Sequence, residues 1–251
     1  ALGAVRLGVR DRERLELLVG IVDASVTADV DTRARAAASI PHLAACDIGK
    51  ATAALACGLD DHTSDERGDV GSWVRAASAT ALADTLCTHP TSEARAAYVA
   101  MAGGVMERID AVRVVACEAL ACVARVCPVP AADRVRQLLS GSVERYRDAH
   151  TAFSAVMPLL DVAAYRPALV ATLARTIGSR SETARRDAAP ALVQWAQGAS
   201  CENVSAFVRA LDSLAARHMR DNRLFVPVAH TTLALLDGGV HVDLSLIHIS
   251  E

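Results

Sequence analysis

The chain is predicted to be all-α, an α-solenoid of about six HEAT- or armadillo-type helix pairs in a right-handed superhelix. Ala is abundant, whereas aromatic residues make up only 3% of the 251 residues. This balance favours closely packed helices over β-sheets. A short motif also recurs at about 40 residues, the spacing of repeats built from two antiparallel helices. These observations exclude a β-sandwich or β-barrel.

The recurring motif is x-Arg-x-x-small-x-x-small-aliphatic, and it begins at residues 32, 74, 112 and 184. The arginines Arg33, Arg75 and Arg113 lie 42 and 38 residues apart. Arg185 follows 72 residues later, close to twice the repeat length. Small residues let a neighbouring helix approach closely, and aliphatic residues fill the space around them. Because one repeat cannot bury its apolar face alone, several must stack.

The clearest apolar stripe lies in the segment 110–127. Apolar residues recur there with the period of one helix face. The stripe consists of Val112, Val115, Ala116, Ala119, Leu120, Val123 and Cys127. We predict that it is buried, and that Arg113, Glu118 and Arg125 lie off it.

Helix ends are marked by their usual signals. Gly103-Gly104 ends one helix, Pro128 breaks another, and Gly178 precedes a Ser-x-x-Glu capping box that starts the next. The predicted helices, in order, are 11–24, 31–45, 49–59, 69–87, 92–106, 110–127, 131–139, 148–160, 164–177, 182–197, 203–219 and 223–236.

The repeats are predicted to form one continuous array over residues 1–243. The chain starts without Met and within an amphipathic pattern, which indicates a fragment of a longer repeat protein. Residues 244–251 (LSLIHISE) alternate like a strand with no neighbour to pair with. They resemble translated vector or adapter sequence, and we expect an unstructured tail.

Motifs for catalysis or cofactor binding are missing from the sequence, including zinc-protease, P-loop, dinucleotide-binding, nucleophile-elbow and EF-hand patterns. The net charge is −3 with evenly spread arginines, so nucleic-acid binding is not expected. No charge-free run is long enough to span a bilayer. The seven cysteines have no metal-ligand spacing and are predicted to be reduced, mostly buried thiols. We therefore expect a protein that is not an enzyme and holds no cofactor or metal.

The most distinctive segment is the polar loop 59–75, LDDHTSDERGDVGSWVR. In the simpler interpretation, Asp69 caps the next helix and Trp73 packs into the repeat interface. Gly68 and Gly71 then allow close backbone approach, and Arg75 pairs along the array.

A second interpretation makes this loop part of a partner-binding edge, because loops on a rigid repeat scaffold often recognise other molecules. The candidate partner-binding residues are Asp61, Arg67, Asp69, Trp73 and Arg75. The two interpretations are compatible. A metal site at the acidic start of the loop is a third, weaker alternative, because Asp residues commonly cap turns and helices.

The loop also carries a specific block, made of Leu59-Asp60-Asp61, Thr63, the RGDVG run at 67–71 and Trp73-Val74-Arg75. Further matching positions continue in order as far as Asn222-Arg223 and Val226-Pro227. In this block the sequence strongly resembles the C-terminal region of the tubulin-folding cofactor D family, over roughly residues 50 to 239.

The resemblance implies a cytoplasmic, cytoskeleton-associated chaperone that captures β-tubulin and joins cofactor E carrying α-tubulin. With cofactor C, the family promotes GTP hydrolysis by tubulin and releases the heterodimer. An Arf-like small GTPase is a further family partner. Two alternatives are a HEAT scaffold of the transport-receptor or phosphatase-regulatory type, and a Cys or His enzyme or metal protein.

Overall fold

The computed structural model describes residues 8–23, 28–91, 95–126, 154–178, 182–217 and 222–240. All regular elements within these ranges are helices, and the β-type contact among them is one isolated bridge between Asp65 and Gly68. The prediction of an all-α fold is confirmed.

Ten α-helices have both ends in the described part of the chain, and the described residues 154–156 are also helical. The ten helices are α1 (Val9–Asp23), α2 (Val30–Ser39), α3 (Ile48–Gly58), α4 (Gly71–Thr88), α5 (Arg95–Gly103), α6 (Asp110–Val126), α7 (Arg166–Ile177), α8 (Glu182–Gly198), α9 (Cys201–Arg217) and α10 (Asn222–Asp237). Short 3-10 helices occupy Ile40–Cys46, Gly104–Met106 and Met157–Asp161. The first two continue α2 and α5 to the ends of the predicted helices 31–45 and 92–106, of which residues 92–94 lie outside the described residues. The predicted helix 131–139 and the start of 148–160 lie outside the described residues.

The chain divides into two compact units, Ala1–Ala131 and Ala132–Glu251. In the first unit, α1, α3 and α5 pack side by side in one layer, and α2, α4 and α6 form a second layer. Consecutive helices pair across the layers, so this unit consists of stacked helix pairs, as the repeat predicts. The continuous array over residues 1–243 and its right-handed superhelix stay predictions, and the tail 244–251 lies outside the described residues.

Aspartate caps fix the start of two helices in the first unit. The Asp29 carboxylate accepts hydrogen bonds from the Thr32 amide at 2.9 Å and its hydroxyl at 2.6 Å, at the start of α2. Asp47 accepts from the Lys50 amide at 2.9 Å at the start of α3. These caps satisfy amides that have no partner within the helix, so each helix begins where an Asp precedes it.

The apolar stripe predicted for α6 is largely confirmed. Its buried members are Val112, Ala116, Ala119, Leu120 and Val123. Glu118 and Arg125 are exposed, as expected. The prediction for Arg113 is wrong, because this side chain is only 1% exposed. Hydrogen bonds to nearby oxygens compensate its buried charge.

In the second unit, α7 packs against α8, α9 and α10. A polar cluster joins these helices through Asp161, whose Oδ1 accepts from Trp195 Nε1 at 3.2 Å and from Asn203 Nδ2 at 3.0 Å. The ring of Trp195 lies 5.4 Å from that of buried Phe207. Asn203 also accepts from Arg166 at 3.0 Å, and burial lowers the pKa of Arg166. The cluster therefore satisfies half-buried polar groups around an aromatic core.

The cysteines differ from the prediction of mostly buried thiols. Among the described residues Cys117 is buried, whereas Cys57, Cys122 and Cys201 are exposed. Burial raises the pKa of the Cys117 thiol to about 12. The expectation of burial is therefore wrong for three thiols, because an apolar sequence neighbourhood does not determine which way one side chain points.

Candidate functional site

The loop between α3 and α4 forms a tight polar turn at its tip. Asp65 and Gly68 exchange two backbone hydrogen bonds, each 2.9 Å long. Gly68 has φ of +104°, a conformation that side-chain-bearing residues rarely adopt. The glycine in the RGDVG run thus closes the turn that carries Arg67 at the protein surface.

Arg67 is held over the exposed ring of Trp73. Its guanidinium carbon lies 5.1 Å from the ring centroid, a cation–π distance. Arg67 also donates to one oxygen of Asp65, from Nε at 3.0 Å and Nη2 at 2.7 Å. This bonding lowers the pKa of Asp65 and raises that of Arg67. The three side chains form one ordered surface cluster, which we call the Arg67–Trp73 surface (Asp65, Arg67 and Trp73).

Trp73 is 45% exposed, so the expectation that it packs into the repeat interface is wrong. The reason lies in the helix period. Val70 and Val74 are one turn apart and pack with Val30 in the core, which turns the position before Val74 outward. The Arg67 guanidinium therefore shields part of the Trp73 ring from solvent.

Asp61 points in the opposite direction, into the protein. Its carboxylate forms a buried ion pair with Arg33 of α2, and the two side chains are 5% and 1% exposed. Arg33 also donates to the Thr63 hydroxyl at 3.2 Å. This buried ion pair thus links the start of the loop to α2 of the preceding helix pair.

Arg75 of α4 is 2% exposed and contacts three acidic residues. It forms a two-pronged hydrogen bond with Asp69, at 3.0 and 2.9 Å, and donates to the Asp61 backbone carbonyl. Its Nε lies 2.8 Å from Glu107 Oε2, an ion pair whose angle is not that of a hydrogen bond. Burial opposes its charge, but Asp69 and Glu107 together raise the pKa of Arg75. The expected pairing of Arg75 along the array is confirmed.

The simpler interpretation expected the Asp69 side chain to cap α4, and this expectation is wrong. The N-cap position is Val70, which makes no side-chain cap bond. The Asp69 carboxylate is bound by Arg75 instead, and this hydrogen bond lowers its pKa. The Asp69 carbonyl accepts from the Ser72 hydroxyl at 2.7 Å. Charge pairing with a buried arginine has replaced the local cap.

The predicted close backbone approach is confirmed at Gly71 and wrong at Gly68, where a Cβ would meet nothing within 4 Å and the positive φ alone favours glycine. A Cβ on Gly71 would lie 2.6 Å from Asp61 Oδ1 and 2.7 Å from the Thr63 amide nitrogen. The Gly71 amide donates to the Thr63 carbonyl at 2.8 Å. The first residue of α4 therefore fits directly against the loop, and only glycine leaves enough space.

A third buried arginine extends the pattern into α6. Arg113 donates to the Glu107 carbonyl at 2.7 Å and to Asp110. The chain of contacts thus runs from Arg33 through Asp61, Arg75 and Glu107 to Arg113. We call these five residues the arginine network. It joins the helices α2, α4 and α6, which form one layer.

The five candidate residues therefore separate into two groups. Arg67 and Trp73 lie at the surface, and the Asp69 carboxylate is partly exposed beside Arg75. Asp61 and Arg75 are buried in the arginine network. A partner-binding role of the candidate residues stays a prediction. The sequence did not reveal Arg33, Glu107 and Arg113 as members of the network. Two signals pointed to them. The arginines recur with the repeat, and Asp69–Arg75 and Glu107–Arg113 share a six-residue spacing.

Among the described residues, no three His, Cys, Asp or Glu side chains are arranged to hold a metal ion. In the acidic start of the loop, the alternative metal site, the Asp61 carboxylate is paired with Arg33. His62 lies on the surface, 3.4 Å from Asp60. No helix in the described ranges has both the length and the apolar character needed to cross a membrane.

Stacked helix pairs joined by buried arginines define a helical-repeat protein. A model of the family described as tubulin folding cofactor D C terminal matches residues 96–248, more than half of the chain. The chain therefore belongs to the tubulin folding cofactor D family, in its C-terminal part. The match begins after the loop 59–75. The similarity of this loop to the family is therefore supported by the resemblance in sequence alone.

No curated protein matches the chain. Among solved structures, the chain is similar to a designed armadillo repeat protein, YIII(Dq)4CqI, with 17% sequence identity and a TM-score of 0.40. The similarity covers 87% of this chain and 99% of the designed protein.

Proposed function

We propose that the chain binds β-tubulin as part of a tubulin-folding chaperone, and acts with other tubulin cofactors to assemble the α/β-tubulin heterodimer. The observation that carries this proposal is the family match over residues 96–248. The partners in this proposal are β-tubulin, cofactor E carrying α-tubulin, cofactor C and an Arf-like small GTPase. The proposed location is cytoplasmic and associated with the cytoskeleton.

The Arg67–Trp73 surface is the proposed contact point within the loop. Trp and Arg are the residue types that most often dominate protein-binding energy, because they combine a large apolar area with directed hydrogen bonds. Trp73 is the aromatic side chain among the exposed large hydrophobic residues of the described chain. Asp65 and Gly68 hold Arg67 in place before binding, which reduces the entropy lost on association.

In the proposed mechanism tubulin carries out GTP hydrolysis, and this chain binds one tubulin subunit. GTP would be bound and hydrolysed by tubulin, and the chain would itself be no enzyme. The arginine network ties successive helix pairs together, which supports a stiff surface able to hold one tubulin subunit while another docks. Promotion of GTP hydrolysis would then come from favouring one tubulin conformation over another.

The first test is binding to purified tubulin. The chain is immobilised and β-tubulin recovery is compared with that of Arg67→Glu and Trp73→Ala. We expect each change to weaken binding by at least about tenfold. Matched controls are Arg35→Glu, at an exposed arginine of α2, and Leu17→Ala, at a leucine of α1 that is 65% exposed. They should bind like the unchanged chain.

Equal weakening in the controls would remove the role of the Arg67–Trp73 surface but leave tubulin binding in place. Failure of both this chain and a longer parent protein to recover β-tubulin would overturn the proposal and favour a general repeat scaffold.

The second test concerns GTP. The chain alone should not hydrolyse GTP, whereas tubulin with cofactors C and E should hydrolyse it faster when a binding-competent parent protein is added. Hydrolysis by the chain alone would contradict the assignment of the chemistry to tubulin. An unchanged tubulin rate with the parent would contradict the proposed stimulation.

A further inference from the structure

Two cysteines from successive helix pairs lie side by side in the first unit. Cys87 is near the end of α4 and Cys122 is near the end of α6, and the two lie 35 positions apart in the sequence. Their sulfur atoms are 3.2 Å apart. We propose that Cys87 and Cys122 form a reversible intramolecular disulfide by exchange with glutathione disulfide, which makes this pair a redox-modification site.

The packing of α4 and α6 explains why these thiols meet. The arginine network joins the beginnings of the two helices, because Arg75 faces Glu107 and the Glu107 carbonyl accepts from Arg113. The small and aliphatic residues between the ends then keep the helices close. Cys87 and Cys122 lie towards the other ends of the same helices. The thiols are therefore held together by the fold, and little further ordering is needed for them to react.

Accessibility assigns the two thiols different roles. Cys122 is exposed and Cys87 is half-buried, so a small disulfide can reach Cys122 first. Cys117 lies on the same helix but is buried, and its raised pKa keeps it protonated and unreactive at neutral pH. Cys57 and Cys201 are exposed. They serve as comparison thiols.

The exchange is balanced in two steps. The Cys122 thiolate attacks one sulfur of glutathione disulfide, which forms a mixed disulfide and releases one glutathione thiolate. The Cys87 thiolate then attacks Cys122 Sγ, forms the protein disulfide and releases the second glutathione thiolate. The protein dithiol is oxidised and glutathione disulfide is reduced to two glutathione molecules, so excess glutathione reverses the reaction.

The 251-residue chain is equilibrated in buffers of stated ratios of reduced to oxidised glutathione, quenched with acid, alkylated and digested with trypsin and Glu-C. Cys87 then lies in the fragment 76–93 and Cys122 in 119–125, separate from Cys117. We expect a cross-linked pair of these fragments that disappears with excess reduced glutathione. Cys57→Ser, a matched exposed cysteine, should leave the cross-link unchanged. Absence of this cross-link under all buffers, or cross-links only between molecules, would overturn the proposal.

Two further measurements separate the order of attack from the structural effect. Cys87→Ser should accumulate glutathione on Cys122, because the second step is blocked, whereas Cys122→Ser should leave Cys87 largely unmodified. The oxidised chain should unfold at a Tm about 5 to 10 °C higher than the reduced chain, and this shift should vanish in both variants. Absence of glutathione on Cys122 in the Cys87→Ser variant, or a Tm shift that persists in both variants, would contradict the proposed exchange.

Discussion

Glu107 repeats, one helix pair later, the two contacts that Asp61 makes with arginines. The Asp61 carboxylate binds Arg33 of the preceding pair, and its backbone carbonyl accepts from Arg75. The Glu107 carboxylate faces Arg75, and its backbone carbonyl accepts from Arg113. Each acid thus uses its side chain for one repeat and its backbone for the next.

The two acids should nevertheless differ in their effect on stability. Asp61→Asn should lower the free energy of unfolding by about 3 to 5 kcal/mol, because it leaves the buried Arg33 charge without a counterion. Glu107→Gln should cost about 1 kcal/mol, since Arg75 keeps its bonds to Asp69. Urea denaturation of both variants measures the difference. Similar losses for the two variants would show that the ion pairs are equivalent.

Gly71 should not tolerate a side chain. Gly71→Ala should destabilise the protein by about 1 to 3 kcal/mol, because the added methyl group would press on Asp61 and the Thr63 amide. Gly103→Ala is the matched control, since a methyl group there would meet nothing within 4 Å and the residue ends helix α5. This control should change stability by less than about 1 kcal/mol. Thermal unfolding followed by circular dichroism compares them, and equal melting temperatures would contradict the close approach.

Trp73 should contribute little to stability for so large a side chain. Trp73→Ala should cost about 1 kcal/mol, whereas Phe207→Ala should cost about 3 to 5 kcal/mol, because Phe207 is fully buried. Chemical denaturation of the two variants tests this. A loss above about 3 kcal/mol for Trp73→Ala would mean that its ring is more enclosed than the structure shows.

Asp69 should make stability depend on pH in the acid range. Arg75 lowers its folded-state pKa below the ordinary 3.8, so the stabilisation is present above that value and is lost as the pH falls through the folded-state pKa. Asp69→Asn should cost about 1 kcal/mol at pH 6, a modest amount because solvent screens this partly exposed group. The difference between the two proteins should narrow towards pH 3. A constant difference across this range would assign the loss to something other than ionisation.

The helices were predictable from local signals, but the arginine network was not. Gly103 and the apolar stripe of α6 define helix ends and faces within a few residues of sequence. Arg113 shows the limit of this reasoning, because a helical pattern places charged residues in solvent. Here the Glu107 backbone carbonyl, six residues earlier in the preceding loop, and the Asp110 carboxylate accept hydrogen bonds from Arg113 and make its burial favourable. The counterion of Arg33 is 28 residues away, so no local pattern contains it.

The orientation of single side chains was the least predictable feature. Trp73 was expected inside because Trp is large and apolar, but the neighbouring valines already occupy the inward positions of that turn. The cysteines were expected inside for a similar reason, yet Cys122 is exposed on the same helix on which Cys117 is buried. Which face is buried depends on the packing of another helix, and composition does not reveal it.

The double use of Asp61 and Glu107 has a consequence for how such a protein can lengthen. A duplicated helix pair that carries one loop acid and one arginine can be inserted between two existing pairs. Its acid then forms an ion pair with the arginine of the pair before it, and its arginine forms one with the acid of the pair after it. No third residue elsewhere has to change. Gene duplication can therefore extend the array by whole helix pairs, whereas losing Asp61 would leave Arg33 of the pair before it without its counterion.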